Sequence, residues 1–276
     1  MTGRDAPAQA GMRTGDQSMF LAIDIGNTNI TLGLYEGDVP GPRWRLATER
    51  ERTADEYGAS LREMVRRSGI ETGDVRSVAI ASVVPPLTGV FEEVSRECLR
   101  SRPLIVDSSV KTGIRILCDA PEQIGADRIV DVAAGFALYG GPACVIDLGT
   151  ATTFDAVSAD GDYLGGAITP GMGIAAEALS LRAAKLARVE LRPPSSAIGR
   201  NTVQSLQSGL LLGYVGLVEG MVARFRAELG PGTRVIATGG LAPVIARETK
   251  VVGVLAPWLT LDGLRILYEL NRGRDQ

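Results

Sequence analysis

The chain has 276 residues, 45% of them hydrophobic and 22% charged, and its 29 Lys and Arg against 32 Asp and Glu leave a net charge of -3. That apolar fraction fills the cores of about two compact units and excludes disorder or a coiled coil, while the slight acidic excess lacks the positive field that a nucleic-acid backbone requires. There is no histidine, which removes Ser-His-Asp and Cys-His catalysis, His-ligated metals and a histidine base together.

Residues 1–18 contain no apolar block of the signal-peptide kind and are expected to form a flexible leader, with the protein in the cytoplasm. Phe20 to Ile25 reads as a strand that runs into Asp24-Ile25-Gly26-Asn27-Thr28. Ile30, Leu32 and Leu34 then alternate at period two, which predicts a hairpin with a polar turn. Thr53 and Glu56 have capping-box spacing ahead of Leu61, Met64 and Val65. A buried strand is expected over Val78 to Val84, closed by Pro85-Pro86 and followed by a helix through Phe91, Val94 and Leu99. Gly125-Ala126-Asp127-Arg128 opens a helical pattern at Ile129, Val132, Ala133 and Phe136.

From Ala143 the N-terminal pattern returns: Val145-Ile146-Asp147-Leu148-Gly149-Thr150 matches Ala22-Ile23-Asp24-Ile25-Gly26-Asn27. Two similar α/β half-domains follow from this, 19–141 and 142–276, divided near Gly140-Gly141-Pro142. Beyond lie a Gly-rich stretch at 165–171, a helix from about Thr202 to Glu228, a strand Val235-Ile236-Ala237 opening into Thr238-Gly239-Gly240, and a helix near Leu261 to Asn271. The uncharged run from Asn201 to Val218 holds six polar residues and does not satisfy a membrane span. Gly209, Gly213, Gly216 and Gly220 share one helix face, suited either to packing within the subunit or to a subunit interface.

The chemistry is expected in the turns. An Asp at a strand end, then Gly, Asn and Thr, offers a carboxylate for hydrated Mg²⁺, backbone N–H groups for phosphate and a hydroxyl donor. Two such turns and a Thr-Gly-Gly turn can clamp a nucleotide between the halves. The three lysines, Lys111, Lys185 and Lys250, never follow a glycine, so a Walker A loop is excluded. Cys98, Cys118 and Cys144 are isolated and form no disulfide or zinc pattern. Asp127 is either a simple helix cap or, paired with Arg128, a base that orients an alcohol while the guanidinium holds an anion.

Taken together, Asp24 to Asn29, Gly125 to Arg128, Asp147 to Thr152, Gly165 to Gly171, Gly199-Arg200-Asn201-Thr202 and Thr238 to Leu241 resemble type III pantothenate kinase. That family belongs to the acetate and sugar kinase, Hsp70 and actin superfamily, and the likeness runs from about Met19 to Asn271. It implies duplicated ribonuclease H-like (actin-like ATPase) half-domains with a nucleotide cleft between them. The implied activity is phosphorylation of pantothenate by ATP, the first step of coenzyme A biosynthesis, with Mg²⁺ and a monovalent cation, K⁺ or NH₄⁺.

The resemblance further implies ATP contacts at Asp24, Ile25, Gly26, Asn27, Thr28, Asn29, Thr150, Gly239 and Gly240. Asp127 is the implied proton acceptor, with Cys118, Gly125, Ala126, Arg128 and Thr202 around pantothenate. Asp147 is the implied monovalent-cation ligand, Asp24 the Mg²⁺ ligand through water, and a homodimer completes the site. One departure stands out: Cys118 occupies the position where the family usually carries a tyrosine against pantothenate, so weaker substrate contacts are expected there.

Two other readings remain open in the residues, a nucleotide-binding regulator of the same fold without turnover, and a nicotinamide enzyme through Gly171-Met172-Gly173-Ile174-Ala175-Ala176. A thermal-shift measurement separates the nucleotide classes. Saturating ATP with Mg²⁺ is expected to raise the melting temperature by roughly 2–4 °C, with NADH leaving it unmoved. The opposite pattern would favour the nicotinamide reading.

Overall fold

The computed structural model describes residues 18–182 and 189–273. The expected leader therefore lies, apart from Ser18, outside the described residues. Strands β1 (Met19–Ile25), β2 (Asn29–Glu36), β3 (Val39–Ala47), β4 (Val75–Ser82) and β5 (Leu104–Ile105) form one sheet in the order β3-β2-β1-β4-β5. The first three strands are antiparallel and the last two run parallel to β1.

The second sheet contains β6 (Arg115–Ile116), β7 (Ala143–Leu148), β8 (Ala151–Val157), β9 (Asp162–Pro170), β10 (Arg234–Thr238) and β11 (Val254–Leu255), in the order β11-β10-β7-β8-β9-β6. Without β6 its order and strand directions repeat those of the first sheet. The repeat read between residues 22–27 and 145–150 is thus the repeat of a whole topology.

Strand β1 is apolar on both faces because both are covered. Leu21, Ile23 and Ile25 pack with Tyr57, Leu61 and Val65 of α1 (Ala54–Arg67) and Phe91 and Val94 of α2 (Pro85–Leu99). Helix α1 begins at the expected capping box: Thr53 N–H donates to Glu56 Oε2 at 2.9 Å, and the Thr53 hydroxyl oxygen accepts from Glu56 N–H.

Phe20 and Ala22 face the opposite way, onto α3 (Ala126–Tyr139) and α8 (Leu259–Asn271) through Ile129, Ala133, Leu261 and Leu264. Helix α8, last in the chain, thereby packs on the first sheet. Helix α3, which precedes the second repeat, sends Val132 into the core under Val145 and Ile236 of the second sheet. These two helices lie side by side between the sheets and carry their N-terminal ends to one place.

Helices α4 (Met172–Arg182), α5 (Thr202–Gln207), α6 (Gly213–Leu229) and α7 (Ala242–Glu248) belong to the second half. The long helix expected from Thr202 is present as α5 and α6, joined by a π turn at Ser208–Leu212. Thr202–Leu229 is long and apolar enough to cross a membrane, with mean hydropathy 1.4. Its Leu211, Tyr214, Val215, Val218 and Val222 nevertheless pack on Cys144, Ile146 and Phe154 as part of the second core.

Strand β3, over a segment the sequence alone does not assign, forms despite Pro40 and Pro42. It forms because it is the edge of its sheet, where a proline sacrifices no ladder partner.

The α3–α8 contact depends on Gly263. A Cβ there would lie 2.6 Å from Val130 Cγ1, 2.8 Å from Val130 O and 2.9 Å from Ala134 Cβ. Gly263→Ala is therefore expected to destabilise the fold by about 1–3 kcal/mol, the usual range for overpacking a close helix contact, as read from urea unfolding. An unchanged midpoint would show that the helices separate freely.

Candidate active site

Both β-hairpins end at the same side of the molecule. In the first, Ile25 pairs with Ile30 and the residues between form the turn; in the second, Leu148 pairs with Thr152. Asp24 sits opposite Thr31 and Asp147 opposite Thr153, so each repeat sets a carboxylate beside a threonine one step before its turn. Gly26 N–H donates to Asn29 O at 3.0 Å, and Gly149 N–H donates to Ala151 O at 3.1 Å. Thr48 braces the first turn, its hydroxyl donating to Gly26 O at 2.7 Å. The two turns meet directly, with Thr28 Oγ1 and Thr150 Oγ1 2.9 Å apart.

The third turn follows β10, whose Thr238 pairs with Asp147. Gly239 has φ +89°, and a Cβ on it would collide with Asp147 Oδ1 and the backbone of Leu148. Only glycine satisfies both the left-handed backbone and the contact. Gly171 is required in the same sense, because a Cβ there would strike the carbonyls of Thr150 and Gly149. That contact accounts for the first glycine of the dinucleotide-like motif.

Together the turns border a cleft of about 810 Å³. Asp24, Gly26, Asn27, Thr28, Asn29, Asp147, Thr150, Gly239 and Gly240 all line it, and Asp127 joins them from the start of α3. Asp127 is not the cap of that helix, since the N-cap is Gly125; its Oδ1 accepts the N–H of Arg128 at 2.8 Å. Thr260 and Trp258 line the same space from the start of α8.

This concentration of carboxylates is electrostatically costly. Burial first, and then the charges of Asp127 and Asp147, hold the Asp24 carboxyl well above its ordinary range, while Arg45 pulls it down. Asp147 is pushed up to about 7 by burial, Asp127 and Asp155. Asp127 is also raised, chiefly by burial, against the lowering effect of the Arg128 N–H. One turn further along α3, Asp131 is 3% exposed and is raised by burial and by Asp147. Its Oδ1 has no hydrogen-bond partner among the described residues.

A hard cation with oxygen ligands fits this donor set. The Asp147 carboxylate packs directly against Gly239 and Gly149, whose missing side chains admit it. Among the described residues no three His, Cys, Asp or Glu side chains converge as one ligand set.

Several expected residues fall outside the cleft wall. Ile25 is fully buried in the first core. Thr202 is exposed at the first position of α5, beyond the lining. Cys118, Gly125, Ala126 and Arg128 also do not line the cleft. The Arg128 guanidinium donates to Asp155 Oδ1 from Nε at 3.0 Å and from Nη2 at 2.6 Å. Asp155, only 1% exposed, also accepts from Tyr163 OH at 2.5 Å and Thr153 Oγ1 at 2.9 Å. Gly166 makes room for this pair, because a Cβ there would lie 2.7 Å from Asp155 Oδ1 and 2.8 Å from Arg128 Nη2. Cys118 Sγ donates to Tyr163 O at 3.9 Å, and burial raises its thiol.

Sequence reasoning missed Asp131, Asp155, Thr31 and Arg45. For Thr31 the signal was available in the hairpin pairing opposite Asp24. Asp131 is one helical turn from Asp127 and could have been found by that spacing. Nothing local marks Asp155 or Arg45.

A sequence profile of type III pantothenate kinase matches residues 20–224. The type III pantothenate kinase of Roseiflexus sp. (strain RS-1) is 52% identical over 254 residues, covering 92% of this chain and all of the relative. That of Moorella thermoacetica (strain ATCC 39073 / JCM 9320) is 51% identical over 253 residues, with the same coverage. Among solved structures, a putative 2-dehydro-3-deoxygalactonokinase from Sinorhizobium meliloti superposes with TM-score 0.55 at 14% identity, over 92% of this chain and 99% of that one. MreB 5 of Spiroplasma citri bound to AMPPNP gives 0.52 at 10% identity, over 94% and 98%. The fold is thus that of the actin-like ATPases and sugar kinases.

The Asp147 shift has a sign that can be measured. Below about pH 4 both folded and unfolded chains hold its proton. Between roughly pH 4 and 7 the unfolded chain releases the proton and the folded one keeps it, so this group's effect on stability worsens as pH rises. In buffer free of nucleotide, divalent metal and potassium, Asp147→Asn is expected to be more stable than wild type at pH 8 by up to about 4 kcal/mol, converging with it near pH 4. Urea unfolding at both pH values checks this; equal stabilities at pH 8 would deny the repulsion.

Proposed function

Since the chain belongs to the type III pantothenate kinase family, we infer that it transfers a phosphoryl group from ATP to the primary alcohol of pantothenate, the first step of coenzyme A biosynthesis. The observation that carries this reading is the convergence of Asp127 with two Asp-x-Gly turns and a Thr-Gly-Gly turn on one cleft. ATP lies with its phosphates along Asp24 to Asn29 and Thr150, and its adenosine toward Gly239-Gly240. The N–H groups and hydroxyls of the turns supply donors to phosphate oxygens.

The acceptor alcohol is held against Asp127, whose carboxylate takes the proton as the oxygen meets the γ-phosphorus. Enclosure and neighbouring negative charge strengthen Asp127 as a base beyond an ordinary aspartate. Arg128 faces the pantothenate carboxylate beside Gly125, Ala126 and Cys118. Asp155 holds two of its N–H groups and so fixes the direction of the rest.

A divalent ion reached through water from Asp24, when bound, neutralises phosphate charge. Asp147 takes the monovalent cation, potassium or ammonium, a role supported by its place in the cleft wall. Thr202 reaches pantothenate across a homodimer. That assembly is supported by the open face of the long helix, where a Cβ on Gly209, Gly213 or Gly216 would meet nothing within 4 Å. Exposed Ile168, Leu181, Ile198 and Val203 lie in the same half and are apolar surface of the kind interfaces cover. An ATP-consuming step of this kind places the protein in the cytoplasm.

Asp127→Asn is expected to keep the ATP-induced rise in melting temperature while lowering kcat about 100-fold or more, in a coupled assay of phosphopantothenate formation run with and without potassium. Full turnover by that variant would remove Asp127 from the role of base.

A further inference from the structure

Among the described residues lining the cleft, five carry carboxylates, Asp24, Asp127, Asp147, Glu177 and Glu190, and one carries a positive charge, Arg45. Its position follows from the sheet. Asp24 of β1 pairs with Thr31 of β2, and Thr31 pairs with Arg45 of β3, so the three occupy one row across adjacent strands. Side chains along such a row project from the same face. Arg45 thus shares the face of Asp24, and its charge acts on that carboxylate.

The guanidinium also reaches toward the other half. A Cβ on Gly240 would lie 3.9 Å from Arg45 Nη1, so the guanidinium extends from the row of Asp24 toward the third turn. Two residues earlier on the same strand face, Arg43 stacks 4.8 Å over the Trp258 ring and lies 3.8 Å from Asp262. That contact fixes the neighbouring stretch of β3 against α8.

From this geometry we propose that Arg45 is a further catalytic residue, whose guanidinium binds the phosphoryl group in flight between ATP and the alcohol; the proposal rests on the kinase reading above. In the step, the alcohol oxygen forms a bond to the γ-phosphorus as the bond from that phosphorus to the β,γ-bridging oxygen breaks. The bond's electron pair stays on ADP, and the alcohol proton passes to Asp127 and then to solvent. Negative charge on the three equatorial oxygens persists through a loose transition state in a site dominated by carboxylates. A planar guanidinium can meet two of those oxygens at once, which an ammonium cannot.

The test is steady-state and single-turnover kinetics of the full-length enzyme, with ADP–Mg²⁺ and pantothenate binding by calorimetry. R45M is expected to fold as wild type, lose about 100-fold or more in kcat and regain part of it with guanidinium added to the assay. Its affinities for ADP–Mg²⁺ and pantothenate should stay within about threefold of wild type, because the contact is made in transit. A kcat near the wild-type value, or a loss confined to the KM for ATP, overturns the proposal. If R45M does not fold, R45K serves: at least roughly tenfold loss of kcat is expected, and an undiminished kcat overturns the proposal equally. Wild type assayed alongside keeps the two levels apart. No phosphopantothenate from wild type would sink the kinase reading itself, whereas an active wild type with an equally active R45M would sink only the role of Arg45.

Discussion

Like charges crowded into a poorly solvated cleft are the constraint on which the rest of the molecule turns. Asp24, Asp127 and Asp147 face one space, with Asp131 buried just behind. In the free protein the arrangement opposes folding, because each carboxyl must hold its proton or bear its neighbours' repulsion. Cations brought in with nucleotide relieve that repulsion, so the feature that weakens the empty chain favours the loaded one. On the proposed reading, the two Asp-x-Gly turns, poor as structural hairpins, serve as the phosphate and metal cradle.

What makes such a cleft affordable is the helix pair beneath it. Helix α3 comes from the middle of the chain and α8 from near its C-terminus, yet together they bury Ile129, Ala133, Leu261 and Leu264 in a single core under the first sheet. Helix α3 also packs on the second sheet, through Val132 against Val145 and Ile236. This shared packing holds Asp127 against two turns that belong to different sheets. The N-terminal end of α3 points at the carboxylate cluster, where the helix dipole partly offsets the negative charge. Activity thus depends on contacts such as Gly263 against Val130, which touch no substrate.

The buried Asp155 illustrates the same division between chemistry and support. It neutralises Arg128, accepts from Tyr163 and Thr153, and is admitted by the absence of a side chain at Gly166. Removing one member of such a pair leaves an uncompensated buried charge. Gly166, within the Gly-rich stretch that forms part of β9, thus serves a side chain that comes from β8.

The chain itself determined the repeat, the elements and the turns. An apolar strand ending in Asp-x-Gly occurs twice, capping and period are local properties, and a left-handed glycine such as Gly239 is demanded by the backbone it must adopt. Edge strand β3 escaped because its prolines are tolerated only where a neighbour is missing, and strand order is not local. Asp131, Asp155 and Arg45 escaped for the related reason that their partners lie far away in sequence. Which carboxylates repel, which arginine is neutralised by Asp155 and which one faces the cleft depend on strand pairing and helix exchange. Those are long-range contacts, and charge acts through space without regard to chain order.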